Sequence, residues 1–175
     1  MDDPLTTYNV LFLCTGNSAR SLLAEAYLSS LPGTSFQAFS AGSQPTGAPN
    51  ETALETLKIA KISVDGLRSK SWDEFAADDA PQMDFIFTVC DNAAGEVCPI
   101  WPGHPASAHW PFEDPAAFEG PDVEKRAIFL DVFRQIRTRI DIFANLPLSS
   151  LDELTLKREL DKIGKSSTDQ KNESA

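Results

Sequence analysis

The chain has 175 residues, 42% of them hydrophobic, which suits one domain with a sizeable core. Its formal net charge of −11 argues against a nucleic acid or an anionic membrane as partner, because no basic patch could release counterions. Three cysteines, no secretory signal and no apolar run near the ~20 residues of a membrane span predict a cytoplasmic protein with reactive thiols.

The N-terminal half predicts alternating strands and helices. Segments that are apolar at nearly every position indicate buried parallel strands, and apolar residues at helical spacing indicate helices. Asn50 is placed to cap one of these helices. In chain order we predict a strand over 8–13, a helix over 18–31, a strand over 35–39 that closes on Ser40-Ala41-Gly42, and a helix over 51–61.

The second half contains a long stretch, rich in proline and glycine, between two regular regions. Ser71 and Glu74 fit a capping box, so a short helix is expected to begin there. A loop as long as residues 91–121 is usually functional or disordered, and its aromatic residues favour order. The other elements predicted here are a strand over 83–89, a short strand near 108–110, and an amphipathic helix over 122–143.

The C-terminal segment predicts one more helix. Ser150 and Glu153 offer a second capping box, and Gly164 is expected to stop the helix after about Ile163. The last eleven residues are polar, and we predict that they are disordered. The order of elements predicts an α/β fold with a parallel sheet, divided into a domain over 1–146, a helical extension over 147–164 and a tail over 165–175.

The most informative stretch runs from Cys14 to Ser21. A strand ends at Cys14, and Arg20 completes a C-x5-R pattern at the start of a helix. A loop between a strand and a helix N-terminus turns backbone N–H groups toward one point, which suits a tetrahedral oxyanion. Arg20 can add a bidentate grip on two anion oxygens. The same field favours the Cys14 thiolate, so we expect a lowered thiol pKa and a nucleophilic role.

Further candidate residues follow the later strands. Cys90 ends the third strand as Cys14 ends the first, so a parallel sheet would bring the two thiols to the same edge. Cys98 lies eight positions later, and three such thiols suggest a relay by thiol–disulfide exchange. Asp114 lies in the next loop at that edge, where a carboxyl group could act as general acid.

Each of these residues also has a simpler interpretation. Cys90 could merely pack at the end of a strand, and Asp114 could be a turn residue before a proline. Zinc binding by Cys90, Cys98, His104 and His109 does not fit the short spacing of zinc ligands. We therefore predict no metal site and no cofactor.

Several motifs together resemble a known family. The first strand and loop, with Ser40-Ala41-Gly42, resemble the low-molecular-weight tyrosine phosphatase fold. Over roughly residues 8–143 the sequence is similar to the arsenate reductases built on that fold. This similarity implies a three-layer α/β structure, with a four-stranded parallel sheet and helices on both faces. The motifs that carry it are Val89-Cys90-Asp91, Cys98-Pro99, His109-Trp110 and Glu113-Asp114-Pro115.

The resemblance implies a mechanism and partners. Arsenate would bind in the loop, Cys14 would attack arsenic, and Asp114 would protonate the departing oxygen. Cys90 would then attack Cys14 and release arsenite, and Cys98 would take over the disulfide as an exposed Cys90–Cys98 pair. Thioredoxin fits an intramolecular disulfide of this kind, while glutaredoxin or a small thiol would form a mixed disulfide. The implied substrate-binding residues are Thr15, Gly16, Asn17, Ser18, Ala19, Arg20 and Ser21.

The resemblance also assigns supporting roles. Asn17 would brace the loop, and Ser21 would stabilise the Cys14 thiolate. Some members hold a potassium ion near the loop; Asn17, Glu25 and Ser40 match three of its ligands. Lys70 stands at the fourth position, which is acidic in those members, and we predict that its ammonium takes the place of the cation.

Two other functions stay open. A low-molecular-weight protein tyrosine phosphatase would need only one thiol and would carry an aromatic residue after Asp-Pro, where this chain has Ala116 and Ala117. A non-catalytic redox sensor would use the disulfide state to signal to a partner. Cys90 and Cys98 are unexplained by the phosphatase, so an arsenate reductase is the first hypothesis.

Overall fold

The computed structural model describes residues 7–33, 35–89 and 105–173, with the backbone alone over 166–173. The predicted α/β fold is confirmed. The strands are β1 (Tyr8–Cys14), β2 (Phe36–Gly42), β3 (Phe85–Thr88) and β4 (Ala106–His109), and the α-helices are α1 (Arg20–Ser30), α2 (Glu51–Ile59), α3 (Asp73–Ala76), α4 (Asp122–Ala144) and α5 (Glu153–Glu173). Short 3-10 turns cover Pro115–Ala117 and Leu148–Ser150.

The four strands form one parallel sheet in the order β2-β1-β3-β4. Cys14 pairs with Gly42 across β1 and β2, and Leu13 pairs with Thr88 across β1 and β3. The carboxyl ends of the strands therefore meet at one edge of the sheet, where ligands bind in open parallel sheets.

Each face of the sheet has its own core. Alternate strand residues, such as Phe12 and Phe87, pack with Leu23 of α1 and Phe133 of α4 in the larger core. The intervening residues face the other side, where Phe75 of α3 covers them; this smaller core contains Leu11, Leu13, Ala41, Phe75, Met83 and Ile86. The three layers predicted from the sequence are present.

Of the two helix caps predicted for α2 and α3, the structure confirms the first and forms only half of the second. Asn50 caps α2 as predicted, because its Oδ1 accepts from the backbone N–H groups of Thr52 and Ala53 at 2.9 and 3.1 Å. The capping box at Ser71 is only half formed: Ser71 Oγ accepts from the N–H of Asp73. Glu74 instead forms an ion pair with Arg68 at 2.7 Å, which draws its carboxylate away from the helix start and lowers its pKa.

The C-terminal helix corrects two predictions. Asp152 rather than Ser150 caps α5, since its carboxylate accepts from the N–H of Thr155 at 2.7 Å. The helix also continues past Gly164 to Glu173. A Cβ at Gly164 would lie 2.5 Å from the carbonyl oxygen of His109. This glycine therefore permits close packing against the end of β4 and does not terminate the helix.

The division of the chain over 1–146, 147–164 and 165–175 stays a prediction. No helix in the described part of the chain combines the length and the apolar character needed to span a membrane.

Candidate active site

The loop after β1 turns its carbonyl groups toward the segment that follows β2. The acceptors are the carbonyl oxygens of Cys14, Thr15, Gly16 and Ser18, which receive hydrogen bonds from the backbone N–H groups of Ser43, Gln44, Thr46 and Asn50 at 2.8–3.3 Å. In a trans peptide the N–H points opposite to the preceding carbonyl. The amides of the next residues in the loop therefore point the other way, as an oxyanion site requires.

Gly42 allows this loop to lie against β2. A Cβ at this position would be 2.4 Å from the carbonyl oxygen of Thr15 and 3.0 Å from the Cβ of Asn17. Only glycine avoids that overlap, which gives a physical reason for the last residue of the Ser40-Ala41-Gly42 motif.

Asn17 braces the loop from within. Its backbone has a φ of 46°, a left-handed conformation that asparagine tolerates better than most residues. Its side chain is fully buried; Nδ2 donates to Ser21 Oγ at 2.8 Å, and Oδ1 accepts from the N–H of Lys70 at 2.9 Å. Because Ser21 Oγ accepts here, its own hydroxyl hydrogen stays available for another acceptor.

Cys14 ends β1 as a buried cysteine with 4% of its surface exposed. The segment that opens with it leads directly into α1, whose first residue is Arg20. The positive end of this helix lies on the side of the loop, so the fold supplies the field that favours an anion here.

Arg20 connects the loop to the segment before α4. Its Nη1 donates to the carbonyl oxygen of Phe112 at 3.0 Å, and its Nη2 lies 3.5 Å from Asp114 Oδ2. The side chain is only 12% exposed, and Arg20 Nε has no hydrogen-bond acceptor in the described residues. With Nη1 occupied by Phe112, the Nε and Nη2 edge is the one left to bind an anion.

Asp114 lies beside the loop and also shapes its own turn. Its Oδ1 accepts from the N–H of Ala116 at 3.0 Å and so caps the 3-10 turn. Its Oδ2 faces Arg20, and the side chain is 43% exposed. The turn interpretation and the placement near the loop therefore both apply, since the two oxygens have different partners.

Lys70 inserts its ammonium beside the loop, next to Glu25 and Ser40, where the sequence predicted it. Its Nζ lies 3.6 Å from Glu25 Oε1, and it donates to the carbonyl oxygen of Arg68 at 2.9 Å and to Ser40 Oγ at 3.4 Å. Ser40 Oγ in turn donates to Glu25 Oε1 at 2.7 Å. Burial lowers the pKa of Lys70, and the Glu25 carboxylate partly opposes that shift.

Cys90 and Cys98 lie outside the described residues, so their predicted positions and roles stay predictions. The last described residue before them is Val89, whose N–H donates to the carbonyl oxygen of Leu13 at 2.9 Å. The chain thus leaves β3 beside the residue that precedes Cys14.

Three contacts at the site were not predicted. Ser69 Oγ donates to the carbonyl oxygen of Gly16 at 3.1 Å. The carbonyl oxygen of Phe112 accepts a hydrogen bond from Arg20 Nη1. The buried Arg139 of α4 donates through Nη1 to the carbonyl oxygen of Pro111 at 2.9 Å. Backbone acceptors leave no pattern of residue types in a sequence, so nothing in it pointed to these contacts.

Comparison with known proteins identifies the class. The model of the low molecular weight phosphotyrosine protein phosphatase family matches residues 9–159, and the chain belongs to this family. Within the family it groups with the arsenate reductases, and it is an enzyme, as the sequence predicted.

The relatives are as follows. An arsenate reductase of Oceanobacillus iheyensis is 36% identical, and one of Halalkalibacterium halodurans is 38% identical; each alignment covers 77% of this chain and 94% of the relative. The structure of a thioredoxin-dependent arsenate reductase from Corynebacterium glutamicum matches with 26% identity and a TM-score of 0.54. That match covers 78% of this chain but only 62% of the other protein. A tyrosine phosphatase of Erwinia amylovora, 21% identical with a TM-score of 0.58, shares the fold.

Proposed function

We propose that this chain reduces arsenate to arsenite, with Cys14 as the nucleophile. The observation that carries the proposal is the position of Arg20, which links the cysteine loop to Asp114 within 3.5 Å. An oxyanion in the loop would meet a cation, inward amides and a carboxyl group at once. The relatives that cover most of this chain are arsenate reductases, which favours arsenate as that oxyanion.

The first step forms a sulfur–arsenic bond. The loop amides and Arg20 hold arsenate, and the Cys14 thiolate attacks arsenic. One arsenic–oxygen bond breaks, and Asp114 donates a proton to that oxygen, which leaves as water. Arsenic stays in its pentavalent state and is bound covalently to Cys14.

The second step transfers two electrons. The Cys90 thiolate attacks the Cys14 sulfur, and the sulfur–arsenic electron pair goes to arsenic, so arsenite leaves and a Cys14–Cys90 disulfide remains. Cys98 then attacks Cys90, which restores the Cys14 thiolate and produces a Cys90–Cys98 disulfide. An external dithiol supplies two electrons and two protons to reduce that pair.

The reductant and the location follow from this chemistry. An intramolecular Cys90–Cys98 disulfide suits thioredoxin, whereas glutaredoxin or a small thiol would pass through a mixed disulfide. Turnover requires a reducing compartment, and we propose the cytoplasm.

Phosphate ester hydrolysis is the second candidate. The loop, Arg20 and Asp114 would serve phosphoryl transfer as well as arsenate binding, and the family model is that of a phosphatase. Of the three cysteines, hydrolysis would need only Cys14. Ala116 and Ala117 offer no aromatic surface for a phosphotyrosine ring, so we propose it only as a weak side activity.

The test is a coupled arsenate reduction assay with the full-length chain. Arsenite is measured with thioredoxin and its reductase, and separately with glutathione and glutaredoxin. We expect no turnover in Cys14→Ser and at most a single turnover in Cys90→Ser and Cys98→Ser. Full multiple turnover in Cys90→Ser would refute the relay. Phosphotyrosine hydrolysis that exceeds arsenate reduction and needs only Cys14 would favour the phosphatase.

A further inference from the structure

Arg139 of α4 is buried against the same short segment that Arg20 contacts. Arg139 is 2% exposed, and its guanidinium carbon lies 4.3 Å from the centre of the Phe112 ring. Its Nη1 donates to the carbonyl oxygen of Pro111 at 2.9 Å. Burial of a guanidinium is costly unless it is satisfied by such contacts, and an apolar side chain of similar size would fill the space at less cost. Packing alone therefore does not account for an arginine at this position.

The two arginines bind consecutive carbonyl groups of one short segment. Arg139 donates a hydrogen bond to the carbonyl oxygen of Pro111, and Arg20 donates one to the carbonyl oxygen of Phe112. The N–H of Phe112 donates to the carbonyl oxygen of Val89 at 3.3 Å, which ties the same residue to the end of β3. Phe112, whose carbonyl receives Arg20, is thus held on two sides: Arg139 binds the preceding carbonyl and contacts the Phe112 ring, and the end of β3 binds the Phe112 N–H.

That carbonyl controls the edge that Arg20 presents. The hydrogen bond to Phe112 occupies Nη1, which leaves Nε and Nη2 as the edge that can bind an anion in the loop. Asp114, two residues after Phe112, meets Nη2. A shift of the Pro111–Phe112 peptide would rotate the Arg20 guanidinium and move the Asp114 carboxylate together.

We propose that Arg139 is a positioning residue for this reaction: by holding the Pro111–Phe112 peptide and the Phe112 ring, it sets the anion-binding edge of Arg20 and the place of Asp114. This inference rests on the proposed function of the loop as an oxyanion site. Arg139 itself does not need to touch the substrate.

Arg137 provides a matched control on the same helix. Its guanidinium lies 5.3 Å from the centre of the Tyr27 ring and 5.7 Å from that of Phe133, with no contact to the Pro111–Asp114 segment among the described interactions. Arg137→Met removes an arginine and a cation–π contact from α4 just as Arg139→Met does, but it leaves the segment before the turn unchanged.

The experiment measures oxyanion binding without turnover. In the full-length chain with Cys90→Ser and Cys98→Ser, iodoacetamide alkylates Cys14, and inorganic phosphate is titrated as the protecting anion. We expect R139M to raise the phosphate concentration for half protection about tenfold, the scale of one lost charge-assisted hydrogen bond. R137M should match the parent. In the wild-type cysteine background, R139M should raise the KM for arsenate and lower kcat, since it moves both Arg20 and Asp114.

A double-mutant cycle separates positioning from general stability. If Arg139 acts through Arg20, R139M should have a much smaller effect on phosphate protection when Arg20→Lys is already present. An equal effect in both backgrounds, or unchanged protection in R139M, would overturn the proposal. Circular dichroism shows whether R139M is folded. If it is not, R139Q is tested in its place by the same criteria. If neither variant folds, Arg139 is required for folding and the positioning role is rejected. If phosphate fails to protect even the parent, the oxyanion function itself fails, whereas protection that is insensitive to R139M rejects only the role of Arg139.

Discussion

The ammonium of Lys70 lies 3.6 Å from the Glu25 carboxylate, in the interior beside the loop. The backbone N–H of the same lysine donates to Asn17 Oδ1 at 2.9 Å. Lys70 therefore both neutralises a partly buried carboxylate and holds the residue that braces the loop. Its ammonium also donates to Ser40 Oγ, so Asn17, Glu25 and Ser40, the other three residues that the sequence singled out around a cation, all contact this lysine.

We expect turnover that does not depend on potassium, because the Lys70 ammonium already supplies the positive charge next to Glu25. Arsenate reduction by the wild type should be equal in KCl and NaCl at the same ionic strength. Lys70→Met should lower activity, since it leaves the partly buried Glu25 without its cation. Lys58→Met, at an exposed position on α2, is the control and should behave as the wild type. Strong stimulation of the wild type by potassium would contradict this prediction.

The titration of Lys70 should contribute to the pH dependence of the free energy of unfolding. Burial lowers its folded-state pKa below the ordinary lysine value of 10.5, so the folded protein releases this proton before the unfolded chain does. Between the two pKa values the unfolded state binds more protons, and the stability contributed by Lys70 rises with pH; it is lost as pH falls through the folded-state pKa.

The measurement is the free energy of urea unfolding for the wild type and Lys70→Met from about pH 7 to about pH 10, near the range of lysine titration. The difference, wild type minus variant, should grow in favour of the wild type as pH rises. A difference that shrinks would show that the Glu25 charge outweighs desolvation.

Substitution of Asn17 should lower the free energy of unfolding for two separable reasons. Asn17→Ala removes two buried hydrogen bonds and places alanine at a φ of 46°, so we expect a loss of about 3 kcal/mol in the free energy of unfolding. Asn17→Gly loses the same bonds but accepts the backbone conformation, so it should be the more stable variant by about 1 kcal/mol. Chemical denaturation measures both. Equal stabilities would mean that the left-handed backbone costs alanine nothing here.

Asp114→Asn should separate proton donation from turn formation. Asparagine keeps an acceptor for the N–H of Ala116 but cannot donate a proton as an acid, so kcat for arsenate should fall by about 100-fold or more while the fold persists. Glu113→Gln removes a charge from the adjacent residue and should leave kcat nearly unchanged. Equal kcat in Asp114→Asn and the wild type would assign proton transfer to another group.

Gly164→Ala should destabilise the protein even though alanine is the better helix former. The new methyl group would lie 2.5 Å from the carbonyl of His109 and 2.9 Å from Trp110 Cδ1, which forces α5 away from β4. We expect a net loss of about 1–2 kcal/mol, because overpacking exceeds the gain in helix propensity. Thermal unfolding measures the effect, with Lys162→Ala, at an exposed site on the same helix, as the control. A Gly164→Ala variant more stable than the wild type would exclude this packing role.

Local patterns predicted what depends on neighbouring residues in the chain. The apolar run of β1, the C-x5-R motif and the Asn50 cap are each visible within a few consecutive residues, so residue type and spacing sufficed to predict them. The same reasoning failed at Gly164 and Ser150. There the deciding contacts come from the end of β4 and from the competing carboxylate of Asp152.

The sequence by itself determined the α/β fold class, the strand–loop–helix segment from Cys14 to Arg20, and the family to which the chain belongs, because these depend on periodicity and on short motifs. Only the tertiary structure decided that Arg20 binds the Phe112 carbonyl as well as Asp114, that Ser69 donates to the Gly16 carbonyl, and that Arg139 donates to the Pro111 carbonyl. These contacts join residues far apart in the chain, and several of them use backbone carbonyls, whose direction is fixed by the packing of the sheet against α1 and α4 and not by any residue type.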